Sequence, residues 1–115
     1  MYSTAGENEI AKITNIKTNS PSAESAVTIS IGSRQISAIR ANANTANRLF
    51  LGTEGGRIYR LENANTDTPT VTEITSNINT VGNVSSIDIG ATDMELIATY
   101  SNFGVVSVWY STDGG

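Results

Sequence analysis

Eleven carboxylates and seven cations carry all the charge in this 115-residue chain, and it contains neither histidine nor cysteine. Without imidazole or thiol there is no Ser-His-Asp or Cys-His nucleophile, no disulfide, and no imidazole or thiolate ligand for a metal. Among reactions that carboxylates carry, glycoside hydrolysis needs two carboxyl groups at a fixed separation, one with a raised pKa. Most of the Asp and Glu residues fall in Asn-, Thr- and Gly-rich stretches that read as loops, where a carboxylate is solvated surface charge. Asp88 is the exception. It lies near the end of a short β-branched segment, and Arg40 holds the matching position 48 residues earlier. The two are candidate binding residues, or else an ion pair between neighbouring segments. Arg34, Arg40, Arg48, Arg57 and Arg60 could clamp an anionic ligand, but Arg57 and Arg60 are three apart on one expected strand and so face opposite sides of it. Trp109 and Tyr110 could stack on a sugar ring. The run Gly52-Thr53-Glu54-Gly55-Gly56 leads into a strand pattern and not a helix, so it is not a phosphate cradle. No catalytic residue, metal ligand or cofactor is assigned.

The elements that must position these side chains follow from composition and spacing. Ser, Thr and Asn number 13, 15 and 12, and Ile plus Val reach 20 against four Leu, a balance that favours strands over helices. Sliding the chain along itself by 48 residues brings Ile36 onto Val84, Ile39 onto Ile87, Gly56 onto Gly104, Ile58 onto Val106 and Leu61 onto Trp109, and a one-residue slip brings Leu49 onto Leu96. Periods in the forties belong to β-propeller blades or paired-helix solenoids. Short β-branched segments bounded by Gly, Asn and Thr select the blades.

One unit reads as strands over 35–40, 48–52, 57–61 and 70–75, with an Asn-rich loop at 41–47, a tight turn at 53–56 and a polar loop at 62–69. The next has strands over 83–89, 95–99 and 105–110, with a turn at 101–104. Leu49-Phe50-Leu51 and residues 105–109 are apolar on both faces, which predicts a sheet covered front and back. Trp109, aligned with Leu61, is expected to pack between sheets. Residues 26–31 and 9–15 each resemble a last strand of a preceding blade, the latter through its likeness to residues 70–77, while Ile10, Ile13 and Ile16 also fit one helical face. The expected fold is therefore all-β, about two four-stranded antiparallel propeller blades of an incomplete propeller, with a single β-sandwich as the alternative. Its parts are 1–33 (one or two strands of a preceding blade), 34–80 (a complete blade) and 81–115 (three strands of the next).

A net charge of −4 with scattered cations gives no footprint for nucleic acid. The longest apolar runs fall far short of the roughly 20 residues of a membrane helix. Residues 1–9 carry no basic or apolar leader pattern. Two blades cannot close a ring where about four to eight are typical. The expected partners are thus further blades of the same polypeptide or identical chains, and no nucleic acid or membrane.

The C-terminal Ser111-Thr112-Asp113-Gly114-Gly115 matches the first five positions of the Asp-box, S-x-D-x-G-x-x-W. With Asn44 to Thr53 followed by Gly56-Arg57-Ile58-Tyr59-Arg60, it resembles blades of the bacterial-neuraminidase-repeat propellers, similar to sortilin-type and xyloglucan-cleaving ones, over about residues 35–115. Residues 61–65 depart from the motif. The resemblance implies turn-forming roles for Ser111, Asp113 and Gly115, and a channel-facing position for Arg40 and Asp88. It also implies an extracellular or cell-surface setting in a bacterium and a non-catalytic binding or scaffolding segment that recognises glycan or protein. The alternative it carries is a fragment of a propeller glycoside hydrolase whose acid and base lie on other blades.

Overall fold

The computed structural model describes residues 2–6, 9–14, 22–23, 27–32, 34–76 and 81–115. Among them every regular element is a strand. An N-sheet is built on the antiparallel hairpin β1 (Tyr2–Gly6) and β2 (Glu9–Thr14), with short β3 (Ser22–Ala23) and β4 (Val27–Thr28) paired to β2 on its other side. A middle sheet runs β5 (Ile36–Ala41), β6 (Leu49–Thr53), β7 (Ile58–Glu62) and β8 (Thr70–Glu73) in order. A C-sheet comprises β9 (Val84–Ile89), β10 (Leu96–Tyr100) and β11 (Val108–Ser111).

The 48-residue echo is an echo of register. In the middle sheet Ile39 pairs with Leu51 and Arg40 with Phe50; in the C-sheet Ile87 pairs with Ala98 and Asp88 with Ile97. Both ladders skip one residue at the same point, Ser37 in β5 and Ser85 in β9. The loop bonds recur as well: Asn42 N–H to Arg48 C=O at 2.9 Å answers Gly90 to Glu95 at 2.8 Å, and Glu54 to Gln35 at 3.1 Å answers Ser101 to Asn83 at 3.0 Å.

The third strands correct the sequence alignment. The β6–β7 hairpin closes from Thr53 N–H to Arg57 C=O, whereas β10–β11 closes from Tyr100 to Ser107, a longer loop. Residues 105–107 are therefore loop and β11 begins at Val108. Ala98 pairs with Trp109 as Leu51 pairs with Tyr59, so Trp109 stands at the Tyr59 position and not the Leu61 position.

The N-sheet repeats too. Thr4 pairs with Ile10, Ile13 with Ala23 and Thr14 with Ser22; 48 residues on, these become Gly52–Ile58, Leu61–Val71 and Glu62–Thr70, all pairs of the middle sheet. Residues 9–14 thus occupy a third-strand position, not the fourth-strand position suggested by their likeness to residues 70–77. They are a strand and not a helix; Ile16 lies outside the described residues. Of the expected strand 26–31 only Val27–Thr28 is one, Ala26 lying outside the described residues, and Ile29 and Ile31 are buried beyond it.

Alternation along each strand aims alternate side chains at opposite faces. Leu49, Leu51, Tyr59 and Leu61 meet Ile10, Ile29 and Ile31 of the N-sheet segment, while Phe50 and Ile58 meet Val84, Ile87, Leu96, Ala98 and Tyr100 of the C-sheet. Each fully buried Leu among them contributes about 1.5–3 kcal/mol of apolar transfer. Three layers result, with the middle one covered on both faces, where a single sandwich would have two. The C-sheet approaches the middle sheet most closely through β9, against β5 and β6.

Candidate functional site

Arg40 and Asp88 come together. They occupy the same position on the first strands of consecutive sheets, and Arg40 Nη2 lies 2.9 Å from Asp88 Oδ1. Both side chains are more than half exposed, so water screens the pair and its contribution is small. Toward the start of the same strands, the bulge residue Ser37 donates its hydroxyl to Val84 C=O across the sheet boundary at 2.7 Å. Arg57 and Arg60 part as alternation requires: Arg57 pairs with Glu73 at 3.2 Å and Arg60 with Glu62 at 3.3 Å. No arginine clamp forms among these residues.

A denser polar cluster lies at the end of the sheets where β5 turns into β6. Arg48 Nη1 reaches Asp93 Oδ2 at 2.5 Å and Arg48 Nε reaches Glu62 Oε1 at 2.8 Å. The Thr45 hydroxyl donates to the same Asp93 oxygen at 2.5 Å. Asp93 belongs to the loop between β9 and β10, so this cluster ties the loop of one sheet to the equivalent loop of the next. The Thr45 hydrogen bond, then the Asn42 and Asn44 amides and the Arg48 charge, holds the Asp93 carboxyl below its ordinary value against the opposing effect of burial. Glu62 and Asp93 in turn raise Arg48 above its ordinary value, with the Glu62 hydrogen bond the largest cause. The sequence marks Arg48 only as one of five arginines and gives Thr45 and Asp93 no distinguishing motif. The signal was present, because Thr45 and Asp93 are one period apart and period-related residues sit at matching loop positions.

Ser111, Asp113 and Gly115 form a self-contained turn. Ser111 donates its hydroxyl to Asp113 Oδ1 at 2.8 Å and accepts from the backbone N–H groups of Asp113 at 3.3 Å and Gly115 at 2.8 Å; Gly115 N–H also reaches Asp113 Oδ1 at 3.3 Å. These donors, Ser111 foremost, hold the Asp113 carboxyl below its ordinary value. Gly115 has φ +111°, and a methyl there would meet Ile74 Cβ at 2.7 Å. Conformation and space both demand glycine.

Two concavities flank these groups. An apolar gap of about 100 Å³ lies between Ile58, Ile74 and Thr75 of the middle sheet and Ala98, Trp109 and Ser111 of the C-sheet. An open groove of about 280 Å³ is lined by Asp88, Gly90, Glu95, Ile97 and Tyr110 on the outer face of the C-sheet. Trp109 packs in the apolar cluster between sheets, while Tyr110 points outward at 60 % exposure. Chemically the arrangement offers carboxylates and hydroxyls that accept and donate hydrogen bonds, with one aromatic face. Among the described residues, the carboxyls of Asp93 and Asp113, whose affinity for protons is displaced, are displaced downward, opposite to what a general acid requires. No cluster of three or more metal-ligating side chains occurs among the described residues.

Compared with protein families, curated proteins and solved structures, the chain matches none.

Proposed function

We propose that this chain is a non-catalytic segment of a β-propeller of the Asp-box kind, a scaffold in a secreted or surface-attached bacterial protein. In this reading it presents the loops around Arg48 and Asp93 to glycan or protein. The observation that carries the reading is the manner of stacking. Successive sheets share one strand register, and the C-sheet meets the middle sheet most closely through its first strand while a gap opens between them at Trp109. Sheets that converge on first strands and splay at later ones fan around an axis, which is how blades are arranged. The turn made by Ser111, Asp113 and Gly115 is the kind that a blade of this family would place after its third strand. Arg40 and Asp88, at the close-packed side of the fan, would then border the channel.

Titration of the ¹⁵N-labelled chain with a panel of neutral and acidic oligosaccharides tests the proposal. Saturable shifts confined to residues 42–48 and 90–95, with every oligosaccharide recovered intact, are expected. Release of reducing sugar that disappears in Asp88→Asn would overturn it in favour of a hydrolase.

A further inference from the structure

The loop between β5 and β6 has a neighbour on each side and still presents side chains between them. On the N-sheet side the Tyr2 hydroxyl donates to Asn47 Oδ1 at 3.2 Å, and on the C-sheet side Thr45 and Arg48 hold Asp93. Asn44 and Asn47 remain exposed. Asn47 is the third residue of a turn in which Arg48 N–H donates to Thr45 C=O at 3.4 Å, and its backbone is left-handed, at φ +59°. Such a position admits Gly or Asn. Asn adds a side-chain amide that the turn itself does not need, and the amide is held: Ala64 N–H donates to the Asn47 carbonyl at 2.9 Å and Tyr2 fixes the side-chain oxygen. Asn47 Nδ2 donates to no described residue.

The charge around this amide decides the class of ligand. Arg48 is the one cation in residues 42–48 and 90–95, against the two acids Asp93 and Glu95. Glu62 and Asp93 engage Arg48 from two directions, so its guanidinium is committed to carboxylates of its own chain. An anionic ligand would find no clamp here and a surplus of negative charge. A protein partner is disfavoured for a separate reason. Interface hot spots are large aromatic or cationic anchors, and of the exposed large apolar side chains among the described residues only Met94 lies in these loops. An amide both donates and accepts, which suits the adjacent hydroxyls of an uncharged sugar.

We infer that the loops around Arg48 and Asp93 take an uncharged glycan, with the Asn47 side-chain amide as the contact that holds it, and that they discriminate against anionic glycans. The inference rests on the reading of these loops as a binding site and does not require the propeller. Tyr2 and Ala64 act as positioning groups, since they fix the two oxygens of Asn47 and leave its N–H donors directed by that geometry.

The probes are neutral hexasaccharides of glucose, mannose and N-acetylglucosamine, set against a galacturonate hexamer and a sialylated trisaccharide, each titrated into the ¹⁵N-labelled chain. At least one neutral sugar is expected to shift residues 42–48 and 90–95 and the Asn47 side-chain amide, with an affinity that molar salt leaves unchanged. The acidic sugars should bind about tenfold more weakly or worse. Asn47→Gly keeps the left-handed turn and removes the amide, and Asn47→Asp keeps the shape and removes the N–H donors. Both should weaken neutral binding about fivefold to tenfold, while the melting temperature of Asn47→Gly stays close to that of the unaltered chain. Acidic sugars bound as tightly as neutral ones, binding abolished by salt, or Asn47→Gly and Asn47→Asp that bind undiminished would each overturn the inference and leave the site standing. Shifts outside residues 42–48 and 90–95 only, or none with any sugar, would overturn the site and the inference together.

Discussion

The middle sheet and the C-sheet are built to one register, yet one is buried on both faces and the other on one. Leu49, Phe50 and Leu51 are all buried in β6, whereas in β10 Leu96 and Ala98 are buried and Ile97 between them is 44 % exposed. Ile58 is 6 % exposed and its counterpart Val108 is 59 % exposed. The side chains have adjusted to this difference. Gly52 carries no side chain because Val84 of the next sheet crosses above it, and a methyl there would meet Val84 Cβ at 2.6 Å. The matching residue in β10 is Thr99, which bonds within its own sheet to the hydroxyl of Ser85 at 2.8 Å. Ser85 in turn matches Ser37, whose hydroxyl reaches across to the next sheet. The same position therefore serves an interface where a neighbour lies over it and its own sheet where none of the described residues does. An aliphatic pattern sets which residues can be buried; the neighbour decides which are.

Substitutions at matched positions sharpen this contrast, the largest first. Phe50→Ala should cost about 3–5 kcal/mol in chemical unfolding, and Ile97→Ala at the equivalent position about 1 kcal/mol or less. Comparable losses at the two would break the contrast. Gly52→Val should cost about 1–3 kcal/mol through overpacking against Val84, whereas Thr99→Val stays within about 0.5 kcal/mol.

The polar seam between loops supplies the smallest and most conditional effect. Because the folded Asp93 carboxyl is held below its ordinary value, its contribution is present above the unfolded pKa of about 4 and is lost as pH falls through the lowered folded value. Asp93→Asn should therefore cost about 1–2 kcal/mol near neutrality and flatten the acid limb of a melting-temperature profile. An unchanged acid limb would show that Asp93 does not bridge the loops. No matching effect is expected for Arg40→Ala, whose pair with Asp88 is exposed and screened.

Much of this was legible in the residues. The period of 48 located β5, β6, β9 and β10 to within a residue or two, because their first and second strands are joined by loops of nearly equal length. It misplaced the third strand of the C-sheet because the hairpin after Tyr100 is longer than the one after Thr53, and a fixed spacing cannot register a change in one loop. The place of residues 9–14 within their sheet is missed for a different reason. Glu9-Ile10-Ala11-Lys12-Ile13-Thr14 alternates like any β strand, and only the partners Thr4 and Ala23 reveal which strand it is. Arg40 and Asp88 were visible as a pair because they stand one period apart, and Thr45 and Asp93 could have been found by the same rule. The exposure of Ile97 could not, since Leu49-Phe50-Leu51 and Leu96-Ile97-Ala98 are equally apolar and differ only in what lies above them.

Nuclear Overhauser contacts of the folded chain test the shared register most directly. The account predicts cross-strand contacts for Ile39 with Leu51 and for Ile87 with Ala98, together with Val84 methyl protons against the α-protons of Gly52. A C-sheet ladder displaced by one residue relative to the middle sheet, or Val84 remote from Gly52, would contradict it.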